Sequence, residues 1–197
     1  KINEKTPYPP TMKGQLGADE LTLQALNEGI SPADVLQKGL IIGMERIGVK
    51  FKTNRVFVPQ VLMSAKAMGI AMTHLKKFFN DGSVQRKGTV IIGTVEGDIH
   101  DIGKNLVSMM VEGNGYEVID LGVDVKAEKF LETLDLHPNA FVCMSALLTT
   151  TMINMEKVNN LVKGKHPEVK TFIGGAPVTA EFAKQIGVDY YTDGPQE

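Results

Sequence analysis

The chain has 197 residues, of which 43% are hydrophobic and 22% are charged, and its formal net charge is -2. This is an ordinary globular balance, and it gives no electrostatic reason to expect a nucleic acid or an anionic membrane as a partner. We recognise no signal peptide and no apolar run of membrane-spanning length, so we expect a cytoplasmic protein of one large or two small domains.

The first half of the chain shows helical periodicity. Apolar residues recur at helical spacing from about residue 19 to residue 79, and the cap and proline at Ser31 and Pro32 predict a helix start. A later helix is predicted from Val58 to about Phe79. The stripes expected to be buried are Val35, Leu36, Leu40, Ile41, Met44 and Ile47, then Val61, Leu62, Ala65, Met68, Met72 and Leu75.

These patterns divide the chain. Residues 1–80 are expected to form a helical domain, whose first 18 residues contain three prolines and no helical period. Residues 81–88 are polar and contain glycine, which is typical of a linker. We therefore expect a second domain over residues 89–197.

In that second domain, short apolar runs alternate with helical segments. The expected strands cover residues 90–95, 116–121, 140–144, 170–173 and 189–191, and the expected helices lie between them and include 126–134, 151–162 and 179–186. Such alternation predicts an α/β fold, because parallel strands need crossover connections. We predict a five-stranded, Rossmann-like sheet in the flavodoxin-like order.

Ligands of such sheets bind beyond the carboxyl ends of the strands, so the loops that leave the strands are the candidates for a site. The loops after the first, third and fourth strands cover residues 96–103, 145–151 and 174–177. In the flavodoxin-like order these three strands are neighbours, and their loops should converge. Paired glycines give a bulky ligand access to the backbone, and clustered hydroxyl groups can bind its polar atoms.

The glycines do not have the spacing of a nucleotide site. Gly97 and Gly103 are six residues apart, whereas a dinucleotide loop needs intervals of two and three. A phosphate loop would need a glycine in place of Ile102 and a hydroxyl residue in place of Asn105. A zinc site is also disfavoured, because the four histidines are scattered and the single cysteine, Cys143, lies inside an apolar run.

His100 is the unusual residue of the first loop. On local sequence, Asp98 or Asp101 could simply cap the following helix. Alternatively, a histidine two residues from an aspartate suits a metal ligand whose second nitrogen is oriented by a carboxylate. Because one histidine cannot hold a metal alone, that metal would have to arrive in its own macrocycle.

Three segments resemble the signature of cobalamin-binding domains of the methionine-synthase type, D-x-H-x-x-G, S-x-L and G-G. The segments are residues 98–103, 145–147 and 174–175, with 41 and 26 residues between them. Residues 39–44 and 57–65 resemble the helical cap of the same family, so the resemblance covers about residues 19–194. A match in three parts, at the right spacing and in the right loops, is highly specific.

Two-domain chains of this size look like the corrinoid proteins of methylotrophic methyltransferase systems. The resemblance implies a methyl-carrying subunit that is non-catalytic alone. It implies a cobalamin or related corrinoid, whose cobalt cycles between Co(I) and methyl-Co(III) in anaerobic one-carbon metabolism. The implied partners are a substrate-specific methyltransferase, a second methyltransferase that passes the methyl group to a folate or thiol, and a reductive activator.

The resemblance also implies roles for residues. His100 becomes the lower axial cobalt ligand, oriented by Asp98, and Thr151 supplies a hydroxyl where the family usually has serine. The expected cofactor-binding residues in the three loops are Gly97, Asp98, Ile99, His100, Asp101, Ile102, Gly103, Ser145, Leu147, Thr149, Thr151, Gly174, Gly175 and Ala176. Met63 and Met68 of the cap are expected to shield the methyl group, with a plain core role as their alternative.

Other proteins share this cofactor module. Adenosylcobalamin mutases add a catalytic barrel, for which the chain is too short. A cobalamin-binding sensory or regulatory module stays the alternative, although the chain has no tryptophan of the kind found in light sensors and no recognisable DNA-binding segment. A cobalamin-binding fragment of a methionine synthase is a further alternative.

Overall fold

The computed structural model describes residues 14–80, 84–192 and 194, without the side chain of Asn80. Residues 1–13, to which most of the prediction for the first 18 residues refers, lie outside these ranges, as do three residues of the predicted linker. The chain separates into two compact units. The helical unit comprises Lys1–Arg86 with Gly113–Gly115, and the α/β unit comprises Lys87–Glu112 and Tyr116–Glu197.

The helical unit contains four α-helices and a π-helical segment among the described residues. They are α1 (Ala18–Asn27), α2 (Pro32–Asp34), the π-helix Val35–Ile41, α3 (Ile42–Lys52) and α4 (Val58–Asn80). The start of α2 is as predicted, because the Ser31 hydroxyl accepts the Asp34 N–H at 3.1 Å and Pro32 follows the cap. The π-helix was not predicted, since apolar spacing alone does not separate it from an α-helix.

The predicted stripes form the core of this unit, with one exception. Leu36, Ile41 and Leu75 are buried, and Leu40, Ile47 and Met72 pack against them. The prediction was wrong at Leu62, which is 38% exposed. Leu62 follows the fully buried Val61, and one residue is a rotation of about 100° around a helix, which turns Leu62 out of the core.

Part of the predicted linker packs against α4. Val84 is buried in the core of the helical unit, and its N–H donates to the Phe78 carbonyl at 2.9 Å. The Arg86 guanidinium lies 4.7 Å from the centre of the Phe79 ring. The division between the units accordingly falls directly after Arg86.

The α/β unit alternates strands and helices as predicted. Its elements are β1 (Thr89–Thr94), α5 (Ile102–Gly113), β2 (Glu117–Asp120), α6 (Ala127–Leu136), β3 (Phe141–Ser145), α7 (Thr149–Met152), α8 (Asn154–Lys165), β4 (Thr171–Gly174), α9 (Ala180–Ile186) and β5 (Tyr190–Tyr191). All strand pairs are parallel, and the order β2-β1-β3-β4-β5 is the flavodoxin-like order. The helix expected over residues 151–162 is divided into α7 and α8.

The strand register places the loops after β1, β3 and β4 next to one another. Thr94 pairs with Ser145, and Ser145 pairs with Gly174, so β1, β3 and β4 end side by side. One face of the sheet, with Ile91 and Val142, packs against α6, α8 and α9 through a core that contains Phe130. The connection from β1 to β2 runs across the sheet in the opposite direction to the connection from β2 to β3. Because crossovers between parallel strands are right-handed, α5 lies on the opposite face of the sheet.

Within residues 14–80 and 84–192, no helix combines the length and the apolar character needed to cross a bilayer.

Candidate functional site

A buried carboxylate joins two of the three loops. Asp98 has no exposed side-chain surface. Its Oδ1 accepts hydrogen bonds from the N–H of His100 at 3.0 Å and from the Nδ1 of His100 at 2.7 Å. Its Oδ2 accepts the Thr151 hydroxyl at 2.7 Å and the Leu147 N–H at 2.8 Å. Residues about 50 positions apart in the chain therefore meet on one carboxylate.

These hydrogen bonds decide the charge of the site. Burial alone would raise the pKa of Asp98, but the bonds from Leu147, Thr151 and His100 outweigh it and hold that pKa well below its usual range. Asp98 is therefore ionised at neutral pH, and the proton between Asp98 and His100 stays on Nδ1. With a proton on Nδ1, the second ring nitrogen, Nε2, is the one that a ligand can use.

That nitrogen is available to a ligand. The His100 side chain is 47% exposed, although its Nδ1 is held by a fully buried group. Over the part of the chain that the structure describes, Nε2 makes no hydrogen bond. The site thus presents one oriented nitrogen donor to the outside.

The loop that carries His100, residues 95–101, is hereafter called the histidine loop. The Thr94 hydroxyl donates to the His100 carbonyl at 2.9 Å. The Gly97 N–H donates to the Asp124 carboxylate at 2.7 Å, and the Asp124 N–H donates to the Asp98 carbonyl at 2.9 Å. Gly97 has a φ of 81°, a left-handed conformation that glycine adopts readily.

Sequence reasoning missed Asp124, which lies in the loop after β2. A signal was present, because this loop also leaves the carboxyl end of a strand that neighbours β1. Lys104 was missed as well. Its buried Nζ donates to Asp120 Oδ2 at 2.5 Å and to Asn105 Oδ1 at 2.7 Å, which ties the start of α5 to the end of β2.

The loop after β4 approaches the loop after β3 at the backbone level. A Cβ on Gly175 would lie 1.8 Å from the Ala146 carbonyl oxygen, and the φ of Gly175 is 131°. Only glycine fits there. A Cβ on Gly174 would meet Thr192 at an ordinary 3.8 Å, so the protein's own packing explains Gly175 but not Gly174.

Exposed aliphatic side chains surround the histidine. Ile102 is 80% exposed, although it begins α5. This apolar rim comprises Ile99, Ile102, Leu147, Leu148 and Ile153, all of them exposed. Several large apolar side chains at one edge of a sheet are typical of a binding surface.

The remaining predicted residues are placed as follows. Asp101 directly precedes α5, and its Oδ2 accepts a hydrogen bond from the side-chain amide of Asn105 at 2.9 Å. Ser145 ends β3 and is half-buried, whereas Gly103, Thr149 and Ala176 are exposed near the same edge. Contacts of these residues with a cofactor stay predictions.

The two methionines belong to α4 of the helical unit. Met63 is 48% exposed, whereas Met68 is buried in the core of that unit. A core role therefore accounts for Met68. Their predicted role in shielding a methyl group stays a prediction.

The donor set fits a metal that brings its own ligands. Within the described ranges, no group of three or more His, Cys, Asp or Glu side chains is arranged to hold a metal ion. Burial raises the pKa of the Cys143 thiol to about 12, so this residue offers no thiolate at neutral pH. One accessible imidazole nitrogen inside an apolar rim suits a large metal macrocycle.

Comparison with known proteins supports this reading over most of the chain. Two family descriptions, both "B12 binding domain", match residues 88–197 and residues 15–76. The chain is 40% identical to trimethylamine corrinoid protein 1 of Methanosarcina acetivorans, over 88% of this chain and 82% of the relative. It is also 40% identical to dimethylamine corrinoid protein 1 of that organism, over 85% of this chain and 80% of the relative.

Solved structures show the same architecture. A methanol:cobalamin methyltransferase complex from Methanosarcina barkeri matches with a TM-score of 0.77 and 28% identity, over 97% of this chain and 85% of that one. A cobalamin-binding protein from Desulfitobacterium hafniense matches with a TM-score of 0.71 and 28% identity, over 91% and 90%. The chain therefore belongs to the B12-binding domain family, as a corrinoid protein.

Proposed function

We propose that this protein carries a methyl group on the cobalt of a bound corrinoid, from a substrate-specific methyltransferase to a second methyltransferase with a folate or thiol acceptor. The observation that supports this most is the chain of contacts from Thr151 through Asp98 to His100, which leaves one histidine nitrogen exposed. A bound corrinoid supplies a cobalt centre that can accept a methyl group and release it again.

The residues of the contact chain have distinct tasks. His100 would ligate the cobalt through Nε2. Asp98 accepts a hydrogen bond from the Nδ1–H group, which fixes the tautomer and the orientation of the ring. This bond also makes Nε2 a stronger electron-pair donor to a metal. Thr151 and the Leu147 N–H hold the far oxygen of Asp98, so the carboxylate cannot turn away from the histidine.

The same contacts make histidine ligation adjustable. Nε2 can hold a proton or a metal but not both, while Asp98 holds the ring through Nδ1. His100 would hold the corrinoid in one state of the carrier and release it in another. Asp98 is the group that sets this balance.

The surroundings fit a macrocycle with an apolar face. The apolar rim offers contact area around His100, and the half-buried Gly174 and the exposed Gly175, which have no side chains, leave room for the nucleotide tail of the cofactor. Ser145, Leu147 and Thr149 would contact that tail. Gly97, Ile99, Asp101, Ile102, Gly103 and Ala176 would lie against the ring or its side chains, and Met63 of the helical unit would shield the methyl group.

Methyltransferases are the proposed partners. Relatives with about 40% identity are corrinoid proteins named for trimethylamine and dimethylamine, and a solved relative belongs to a methyltransferase complex. A methylamine is therefore the first methyl donor to test, ahead of methanol, a betaine or an aryl methyl ether.

Histidine ligation is tested by loading the protein with cobalamin under reducing, anaerobic conditions. The Co(II) form of protein labelled with ¹⁵N-histidine should show electron paramagnetic resonance splitting from the labelled nitrogen. His100→Ala should remove this splitting, whereas the matched variant His137→Ala, at an exposed histidine, should retain it. Splitting that survives in His100→Ala would refute the assignment.

Methyl transfer is tested separately. The reduced, loaded protein is charged with ¹³C-methyl iodide and mixed in turn with each methyltransferase encoded beside its gene, in the presence of tetrahydrofolate or a thiol acceptor. We expect the label to leave the protein with at least one of them and to appear on a folate or thiol. Retention of the label in every mixture would instead favour a sensory or regulatory module.

A further inference from the structure

Asp124 has an unusual backbone. Its φ is 54°, and only it and Asn54 among the described non-glycine residues have a positive φ. This left-handed region costs energy for most side chains, although aspartate and asparagine tolerate it best. A residue held in such a conformation is a reason to ask what the conformation achieves.

The conformation lets Asp124 contact two consecutive residues of the histidine loop. Its carboxylate Oδ1 accepts the Gly97 N–H at 2.7 Å, and its own N–H donates to the Asp98 carbonyl at 2.9 Å. The next residue, Val125, forms a parallel β-bridge with Val95 and donates its N–H to Thr94. The loop after β2 therefore holds the histidine loop from one side, through its backbone.

Among the described residues, no ion pair accounts for an aspartate at position 124. Asp124 is exposed, and none of the ion pairs that the structure shows within residues 14–80 and 84–192 includes it. Its charge faces the solvent, and its side chain accepts a hydrogen bond from the Gly97 N–H. The residue type thus matches two needs at once, a left-handed backbone and a short side-chain acceptor.

Gly97 is the residue of the histidine loop whose backbone rotation would affect His100. At a φ of 81° it is a flexible residue directly before Asp98, and Asp98 carries the contacts to His100. A rotation at Gly97 would move the Asp98 peptide and thereby the direction of the His100 ring. The carboxylate of Asp124 opposes this rotation, because it ties the Gly97 N–H to a different loop.

We propose that Asp124 is a positioning residue, which holds the histidine loop so that His100 points its Nε2 at the cobalt. This rests on the proposed role of His100 as the axial ligand. Asp124 itself touches neither the cobalt nor the methyl group. It acts through Gly97 and Asp98, by limiting the conformations that the loop can take.

Three substitutions separate the two properties of Asp124. Asp124→Asn keeps an oxygen acceptor and tolerates a positive φ. Asp124→Gly tolerates the φ even better but has no acceptor, and Asp124→Ala lacks both. If the acceptor is what matters, the asparagine variant should behave like the native protein, while the glycine variant should not, even where its thermal stability is equal or higher.

The first measurement needs no cofactor. Amide hydrogen exchange at Gly97 is followed by nuclear magnetic resonance in the apoprotein. We expect about tenfold faster exchange in Asp124→Gly, the factor that corresponds to losing one hydrogen bond to a carboxylate, and near-native exchange in Asp124→Asn. Equal exchange in the native protein and Asp124→Gly would overturn the proposed clamp.

The second measurement uses the loaded protein with ¹⁵N-histidine. The fraction of Co(II) that shows splitting from the labelled nitrogen should fall several-fold in Asp124→Gly, with unchanged corrinoid stoichiometry, and should return in Asp124→Asn. A native fraction in Asp124→Gly would refute the positioning role. If the native protein itself shows no histidine splitting, the proposed function fails. The hydrogen exchange of the apoprotein tests the contact between Asp124 and Gly97 independently of that outcome.

Discussion

The hydroxyl of Thr151 offers a direct test of the contact chain. Thr151→Val removes the hydroxyl and keeps the branched shape of the side chain. The lost hydrogen bond joins a hydroxyl to an ionised carboxylate at 2.7 Å inside the protein. Such bonds contribute about 1.5–3 kcal/mol to stability. We expect the lower part of this range, since Oδ2 of Asp98 keeps the Leu147 N–H at 2.8 Å.

Thr151→Ser is the matched control. It keeps the hydroxyl and loses one methyl group, which would lie 3.5 Å from a Cβ placed on Gly97. Removing one buried methyl group costs about 0.8 kcal/mol. The valine variant should therefore be clearly less stable than the serine variant, although serine is the smaller residue.

Urea unfolding of the apoprotein measures the difference. Tyrosine fluorescence reports on the α/β unit, because the chain has no tryptophan and three of its four tyrosines belong to this unit. For a slope of about 2 kcal/mol per molar urea, a loss of 2 kcal/mol lowers the midpoint by about 1 M.

The coupling to Asp98 is tested in a double-mutant cycle. In the Asp98→Asn background the partner is uncharged, so Thr151→Val should cost about 1 kcal/mol less than in the native protein. The reasoning is refuted if Thr151→Ser is as unstable as Thr151→Val, or if the cost of Thr151→Val is the same in both backgrounds.

Three further outcomes are expected. Gly175→Ala places its Cβ 1.8 Å from the Ala146 carbonyl oxygen, so it should cost at least about 3 kcal/mol or prevent folding in thermal denaturation. Burial alone would raise the pKa of Asp189, but bonds from two lysines and a threonine N–H hold it well below its usual range. Its stabilisation is complete above pH of about 4 and is lost as the pH falls further, so unfolding curves should show that Asp189→Asn costs more at pH 7 than in acid. Lys104→Met leaves Asp120 unpaired and should lower the urea midpoint by about 0.5–1 M.

Much of the fold could be predicted from local patterns. Apolar spacing identified α4, and alternation of short apolar runs with helical segments identified the parallel sheet, because each element must bury one face. Leu62 shows the limit of this reasoning. Every apolar residue near a helical stripe looks equally suited to the core, and only the packed neighbours decide which of them turns outward.

The three candidate loops could be located from the sequence, although Asp124 and Lys104 were missed. The spacing of residues 98–103, 145–147 and 174–175 depends on the chain alone, and so does the placement of their loops at the ends of strands. The alternation predicted a parallel sheet, and the flavodoxin-like strand order that we expected for it, which brings these ends together, agrees with the observed sheet.

The chemical state of the site depends on the tertiary structure. Asp98 is buried and ionised because the Leu147 N–H and the Thr151 hydroxyl arrive from a loop about 50 residues further along the chain. Asp124 holds a left-handed backbone because of bonds to Gly97 and Asp98, which no local pattern displays. The sequence by itself determined which groups the loops carry. Only the fold decided their charge, tautomer and orientation, because these follow from distances between residues that are far apart in the chain.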